Sequence, residues 1–158
     1  MRGLVRVGAA VPSLALGNVK ENMKRHLAMM REAKEKHVSI VTFPELSLTG
    51  YTCGDLFFQR RLLDDVTDAL LTLKNEMPEG ILAVVGAPLE IEGALYNCAV
   101  VLHKGEIISA VSKTFLPNNG EFYEKRWFQS GHARRDASVA IPKLKTDVCR
   151  QAIFETED

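Results

Sequence analysis

The 158 residues include 46% hydrophobic and 25% charged side chains, the balance of one globular domain and not of a disordered chain. Lys plus Arg number 20 and Asp plus Glu number 20, so net charge gives no reason to expect nucleic acid or an anionic membrane as partner. Apolar runs are too short and too interrupted to span a bilayer. Cys53, Cys98 and Cys149 are odd in number and widely spaced, with no CxxC pair; they form no disulfide framework and fit a reducing cytoplasm.

In chain order, Leu4 to Ala10 reads as a strand, and Pro12 and Gly17 punctuate the turn after it. Asn18 is a good N-cap, with Glu21 three residues on to close a capping box. Val19, Met23, Leu27, Met30 and Ala33 then recur at helical spacing, predicting an amphipathic helix that ends near His37. Val38 to Phe43 is a β-branched apolar strand cut off by Pro44. Strand, helix, strand in that order marks a βαβ unit. After a loop from Leu46 to Gly54, a second amphipathic helix is expected from about Asp55 to Met77. Ile81 to Gly86 reads as a buried strand, and Asn97 to His103 with Glu106 to Ser112 as a hairpin around Lys104-Gly105. Residues 113–132 are polar, aromatic and glycine-punctuated without a period, the texture of a functional loop. Val139 to Ile141 and Ala152 to Phe154 are expected as short late strands. The acidic ending is either a polar tail or a point where the fold continues in a parent chain.

Two charged residues stand at strand ends. Glu45 follows Phe43-Pro44, Lys113 follows the strand ending at Ser112, and Glu121 lies eight residues further on. Such groups are commonly solvated. Brought together, a carboxylate and an ammonium could act as proton acceptor and oxyanion stabiliser. The four histidines show no metal spacing, and no GxGxxG or P-loop pattern is present. The basic pairs Lys125-Arg126 and Arg134-Arg135 read as solvated loop charge or as contacts with another part of the molecule.

The stretch Phe43-Pro44-Glu45-Leu46-Ser47-Leu48-Thr49-Gly50-Tyr51, continuing through Cys53-Gly54-Asp55-Leu56-Phe57, resembles the carbon–nitrogen hydrolase (nitrilase) superfamily. So do Ser112-Lys113-Thr114-Phe115-Leu116-Pro117-Asn118, then Gly120-Glu121-Phe122-Tyr123-Glu124 and Arg126-Trp127-Phe128. More narrowly, these blocks resemble the glutamine-hydrolysing domain of glutamine-dependent NAD synthetases. The resemblance implies an α/β fold, a four-layer α-β-β-α sandwich of which residues 1–158 would form an incomplete, N-terminal part. It implies Glu45 as general base, Lys113 as oxyanion stabiliser and Glu121 as the additional carboxylate that positions the lysine or the substrate. Glu124 competes with Glu121 for a loop role, and is equally readable as an ion-pair partner of Lys125 or Arg126. Tyr51, Asn119, Phe122 and Glu124 would line the substrate, with Asn119 standing where the family usually has Tyr.

The family nucleophile is a cysteine followed by an acidic residue, and no such block occurs here. Cys149 lacks that neighbour, Cys98 reads as a small buried hydrophobe, and Cys53 as a lining or structural residue. The resemblance thus implies glutamine as substrate of a parent protein that supplies ammonia for NAD synthesis, with these residues inactive alone. It implies no cofactor or metal within residues 1–158, ATP and magnesium in a separate synthetase domain, and a homo-oligomer. The alternatives are a non-catalytic structural or oligomerisation module, another carbon–nitrogen amidohydrolase, or a small enzyme using Cys53.

Overall fold

A computed structural model describes residues 4–133, 138–141 and 143–155. Seven strands form one sheet: β1 (Val7–Ala9), β2 (Ile40–Thr42), β3 (Leu82–Ile91), β4 (Ala94–His103), β5 (Glu106–Ser112), β6 (Ser138–Ile141) and β7 (Thr146–Cys149). Their spatial order is β1-β2-β3-β4-β5-β7-β6. Helix α1 (Val19–Glu35) joins β1 to β2, and α2 (Arg60–Glu76) joins β2 to β3. Both crossovers link parallel neighbours, so the expected βαβ unit is present twice over.

Asn18 caps α1 by accepting the Glu21 N–H at 3.1 Å. The reciprocal half of the expected capping box is not formed. The Glu21 carboxylate pairs with Arg25 instead, and the Asn18 N–H goes to the carbonyl of Ala15. The second helix also departs from expectation. Gly54–Phe58 is a separate 3₁₀ turn, and Gln59 is extended before α2 begins. That break seats the fully buried Phe57 ring 4.9 Å from Phe128 and 5.8 Å from Trp127.

β3 and β4 are longer than their apolar cores suggest, meeting in a tight turn at Glu92-Gly93 with positive φ at both residues. Pro88 hides this extension. Leu82, Val84 and Gly86 direct their backbone groups toward β2 and the chain after it, so by alternation Pro88 turns its missing donor away from β4, where no ladder bond is lost. At the C-terminal end, β6 is found where expected, but its partner is Thr146–Cys149. Ala152 to Phe154 form no strand and are exposed.

Register assigns the two sheet faces. Val41, Ala83, Val85, Val100, Leu102 and Ala110 share one face and are buried; α1 and α2 pack on each other, with α2 against β3 and β5. Val7, Ile40, Leu82 and Val84 share the other face and are less covered, with Val7 66% exposed. The result is a mixed α/β fold, a central sheet with helices packed on it, consistent with an incomplete α-β-β-α sandwich.

Candidate functional site

β1, β2, β3, β5 and β7 run in one direction, so residues following β2 and β5 emerge at one edge, where open α/β sheets gather their chemistry. Even so, β2 and β5 are three strand spacings apart, roughly 14 Å. Glu45 must cross β3 to reach Lys113, and Gly86 makes the crossing possible. A Cβ at Gly86 would lie 2.4 Å from the Pro44 carbonyl oxygen and from the Leu46 nitrogen. The Glu45 peptide therefore rests directly on the β3 backbone. Leu48 continues the contact by donating its N–H to the Gly86 carbonyl at 3.2 Å.

The crossing brings Glu45 over β4, where the Asn97 amide donates to its Oε1. Asn97 in turn accepts the Lys113 backbone N–H at 2.8 Å, which fixes the start of the loop. The Lys113 ammonium donates to the same Glu45 oxygen at 2.7 Å and to Glu124 Oε1 at 2.9 Å. Tyr51 adds its hydroxyl to Glu124 Oε1 at 2.6 Å. Glu124 is 1% exposed, and its second oxygen has no partner among the described residues. Lys113 is held above the usual lysine value. Burial opposes its charge, but the bonds to Glu45 and Glu124 outweigh that. Tyr51 is driven far above the ordinary phenol range by burial first and by Glu124 second.

An ammonium has three N–H groups, and two are engaged here, so one remains for an incoming oxygen. Among the described residues only Oε1 of Glu45 is bonded, while its side chain is 39% exposed. The site thus offers an accessible proton acceptor, a spare cationic donor and a buried carboxylate that holds the cation. No cluster of three or more His, Cys, Asp or Glu side chains suited to a metal exists among the described residues.

Of the candidates from the sequence, Glu45, Lys113, Tyr51 and Glu124 meet. Glu121 does not: it is exposed, and no hydrogen bond or ion pair among the described residues involves its carboxylate. The chain reverses over residues 117–124, with the Glu124 N–H on the Pro117 carbonyl at 3.2 Å, and this carries position 124 inward in place of 121. Phe122 stands edge-on to Tyr51 at 6.4 Å, and Asn119 is exposed. Glu124 pairs with neither Lys125 nor Arg126 among the described residues; Arg126 makes a two-pronged contact with Asp55 at 2.8 and 2.7 Å, and Trp127 adds a third bond at 2.9 Å. Asn97 is the contributor that sequence reading missed. Its signal was a lone amide within the apolar run from Leu95 to Leu102.

The hydrogen bonds of Cys53 and Cys149 involve neither Glu45 nor Lys113. Cys53 is buried and bonded to the Thr49 carbonyl at 3.2 Å, its thiol pushed up by burial. Cys98 adjoins Asn97 on the opposite sheet face. Cys149 pairs in register with Val111, two residues before Lys113, and its sulfur lies 3.4 Å from the Ser109 hydroxyl and 3.5 Å from the Ala110 carbonyl.

Residues 6–156 match the model of the family described as carbon-nitrogen hydrolase. This chain belongs to the carbon–nitrogen hydrolase family. Its similarity to curated relatives points within that family to glutamine-dependent NAD(+) synthetases: 40% identity over 134 residues with the protein of Mycobacterium bovis, covering 84% of this chain and 20% of that one. With the Mycobacterium leprae protein it shares 34% identity over 158 residues, covering 99% and 23%. Among solved structures, the glutamine-dependent NAD(+) synthetase of Cytophaga hutchinsonii superimposes with a TM-score of 0.83 at 29% identity, over 91% of this chain and 25% of that one. The enzyme from Acinetobacter baumannii gives 0.72 at 29% identity, over 85% and 26%. This carbon–nitrogen hydrolase chain therefore spans about a fifth to a quarter of the length of the relatives it matches. Among its described residues no helix is long and apolar enough to cross a membrane.

Proposed function

We propose that residues 1–158 contribute the acid–base and oxyanion groups of a glutamine-hydrolysing site whose thiol comes from outside these residues. The observation that carries this reading is the Lys113 ammonium bridging Glu45 and Glu124 at one sheet edge. The thiol passes its proton to the unbonded Glu45 oxygen, and sulfur attacks the side-chain amide carbon of glutamine. The C=O electron pair moves onto oxygen, where the remaining Lys113 N–H stabilises it. Collapse breaks the C–N bond, Glu45 returns the proton to the leaving nitrogen, and ammonia departs from a thioester. Water then attacks that carbonyl, giving its proton to Glu45. The C–S bond breaks, glutamate leaves, and the proton returns to sulfur. Glu124 and Tyr51 keep the Lys113 ammonium aimed throughout.

In the parent protein the ammonia forms the amide of the nicotinamide ring during NAD synthesis. Cytoplasmic location and homo-oligomerisation belong to the same reading, the latter checked by light scattering. The second reading is a non-catalytic module on this scaffold, favoured by the hydrogen bonds of Cys53 and Cys149, which lie away from the Glu45–Lys113 pair. Ammonia release from glutamine separates them. The purified 158-residue chain should release none, and the product of the complete reading frame should release it at a steady rate. Absence of release from the complete product supports the non-catalytic module. Release by the 158-residue chain contradicts the outside thiol.

A further inference from the structure

We propose that His26 is a positioning residue for Glu45, holding the turn that carries it through a buried hydrogen bond to Ser47. This rests on Glu45 being the proton acceptor of the site. Leu46, next to Glu45, has φ +52, a left-handed conformation that a leucine adopts only when its surroundings impose it. Gly86 supports this turn from β3, but a flat support does not prevent it from lifting. Helix α1 supplies the hold from the other side. His26 and Asn22 are both fully buried, one helical turn apart.

The His26 Nδ1 lies 2.7 Å from the Asn22 carbonyl oxygen and its Nε2 2.8 Å from the Ser47 hydroxyl. A carbonyl can only accept, so Nδ1 carries the proton; in the neutral ring Nε2 is then an acceptor and Ser47 donates. Its ring rests on Phe43 with centroids 4.3 Å apart, so the last residue before Pro44 and the second residue after Glu45 are gripped by one side chain. Asn22 completes the grip, donating to the carbonyls of Leu48 and Ala15 at 3.0 and 2.9 Å and accepting the Ala15 N–H at 2.8 Å. Each of these bonds is made by a side chain with no access to water, and none belongs to the helix ladder. Helix stability alone would be served as well by apolar residues at both positions. What the polar pair adds is a fixed place for the chain on either side of Glu45.

The test follows the Lys113 side chain by NMR across its titration, in the native chain and in Ser47→Ala, Ser47→Thr and His26→Leu, with the His26 ring nitrogens as a second signal. In the native chain the ring should show the Nδ1–H form. Ser47→Ala should lower the Lys113 midpoint by about one pH unit, the size of losing a close carboxylate, and Ser47→Thr, which keeps the hydroxyl, should restore it. Leu73→Ala, a cavity in α2 remote from the turn, should lower stability and leave the Lys113 midpoint in place. Should His26→Leu fail to fold, the two Ser47 variants decide. A folded Ser47→Ala chain with the native Lys113 midpoint, or an equal shift in Leu73→Ala, overturns the proposal. This readout needs no turnover, so its outcome is separate from whether glutamine is hydrolysed.

Discussion

The two carboxylates that meet at Lys113 are held by different means. Glu45 sits on a turn pressed against the bare backbone of Gly86 and tied underneath by the neutral, buried bonds of Asn22 and His26. Glu124 sits on a loop held by the buried Phe128 ring and, at the surface, by the Asp55–Arg126–Trp127 contact. Buried neutral bonds are insensitive to salt and costly to break, because an orphaned partner stays out of water. Exposed ion pairs are screened and individually weak. The exposed acceptor therefore stands on the more rigid half, while the loop of the buried carboxylate takes part of its hold from salt-sensitive contacts.

The largest effect is expected where the rigid half has no room to yield. Gly86→Ala sets a methyl group into the Pro44 and Leu46 backbone, and should cost about 3 kcal/mol in urea unfolding, with Glu45 displaced from Lys113. Next is Lys113→Met, which leaves Glu124 buried without its cation. A loss of about 2 kcal/mol is expected, below the range for fully buried pairs because Lys113 is 26% exposed. Glu124→Gln in the same chain should recover most of it. Thermal melts at several pH values test the latch beneath Glu45. Burial lowers the His26 pKa from its ordinary 6.5, against the opposing bond to Asn22, so the unfolded chain takes up the proton first as pH falls. The associated stability is complete above pH 6.5 and declines from there down to the folded value; His26→Leu should remove that part of the decline. The smallest effect belongs to the surface clamp. Arg126, and then Trp127, hold the Asp55 carboxyl far below its ordinary 3.8, so its contribution persists above that value and fades only as pH drops beneath it. Asp55→Asn should barely change the melting temperature at high salt and change it slightly more at low salt.

Glu45 and Lys113 stood out as charges just past short apolar strands, a weak signal by itself, and the resemblance of the blocks around them to carbon–nitrogen hydrolases is what singled them out. The strand-helix-strand order was legible because helical and extended segments differ in the spacing of apolar residues. What joins the two charges was not. The Gly86 support, the Asn97 bridge and the His26–Ser47 bond connect residues sixteen or more positions apart in the chain, beyond the reach of any local pattern. Glu121 and Glu124 are indistinguishable by composition. Only the reversal at Pro117 and the burial of Phe128 four residues on select position 124. The last strand was misplaced because Thr146 and Asp147 look like loop, whereas Ile153 and Phe154 look like strand but pair with no strand among the described residues.

The central claim, that one lysine joins two carboxylates into a unit served by a thiol from elsewhere, is tested most directly by glutamine turnover in the product of the complete reading frame. Glu45→Gln and Lys113→Met should each lower kcat by about a hundredfold or more, while Cys53→Ala and Cys149→Ser keep the native rate. Native turnover in Glu45→Gln, or its abolition by loss of Cys53 or Cys149 in a folded protein, would contradict the account.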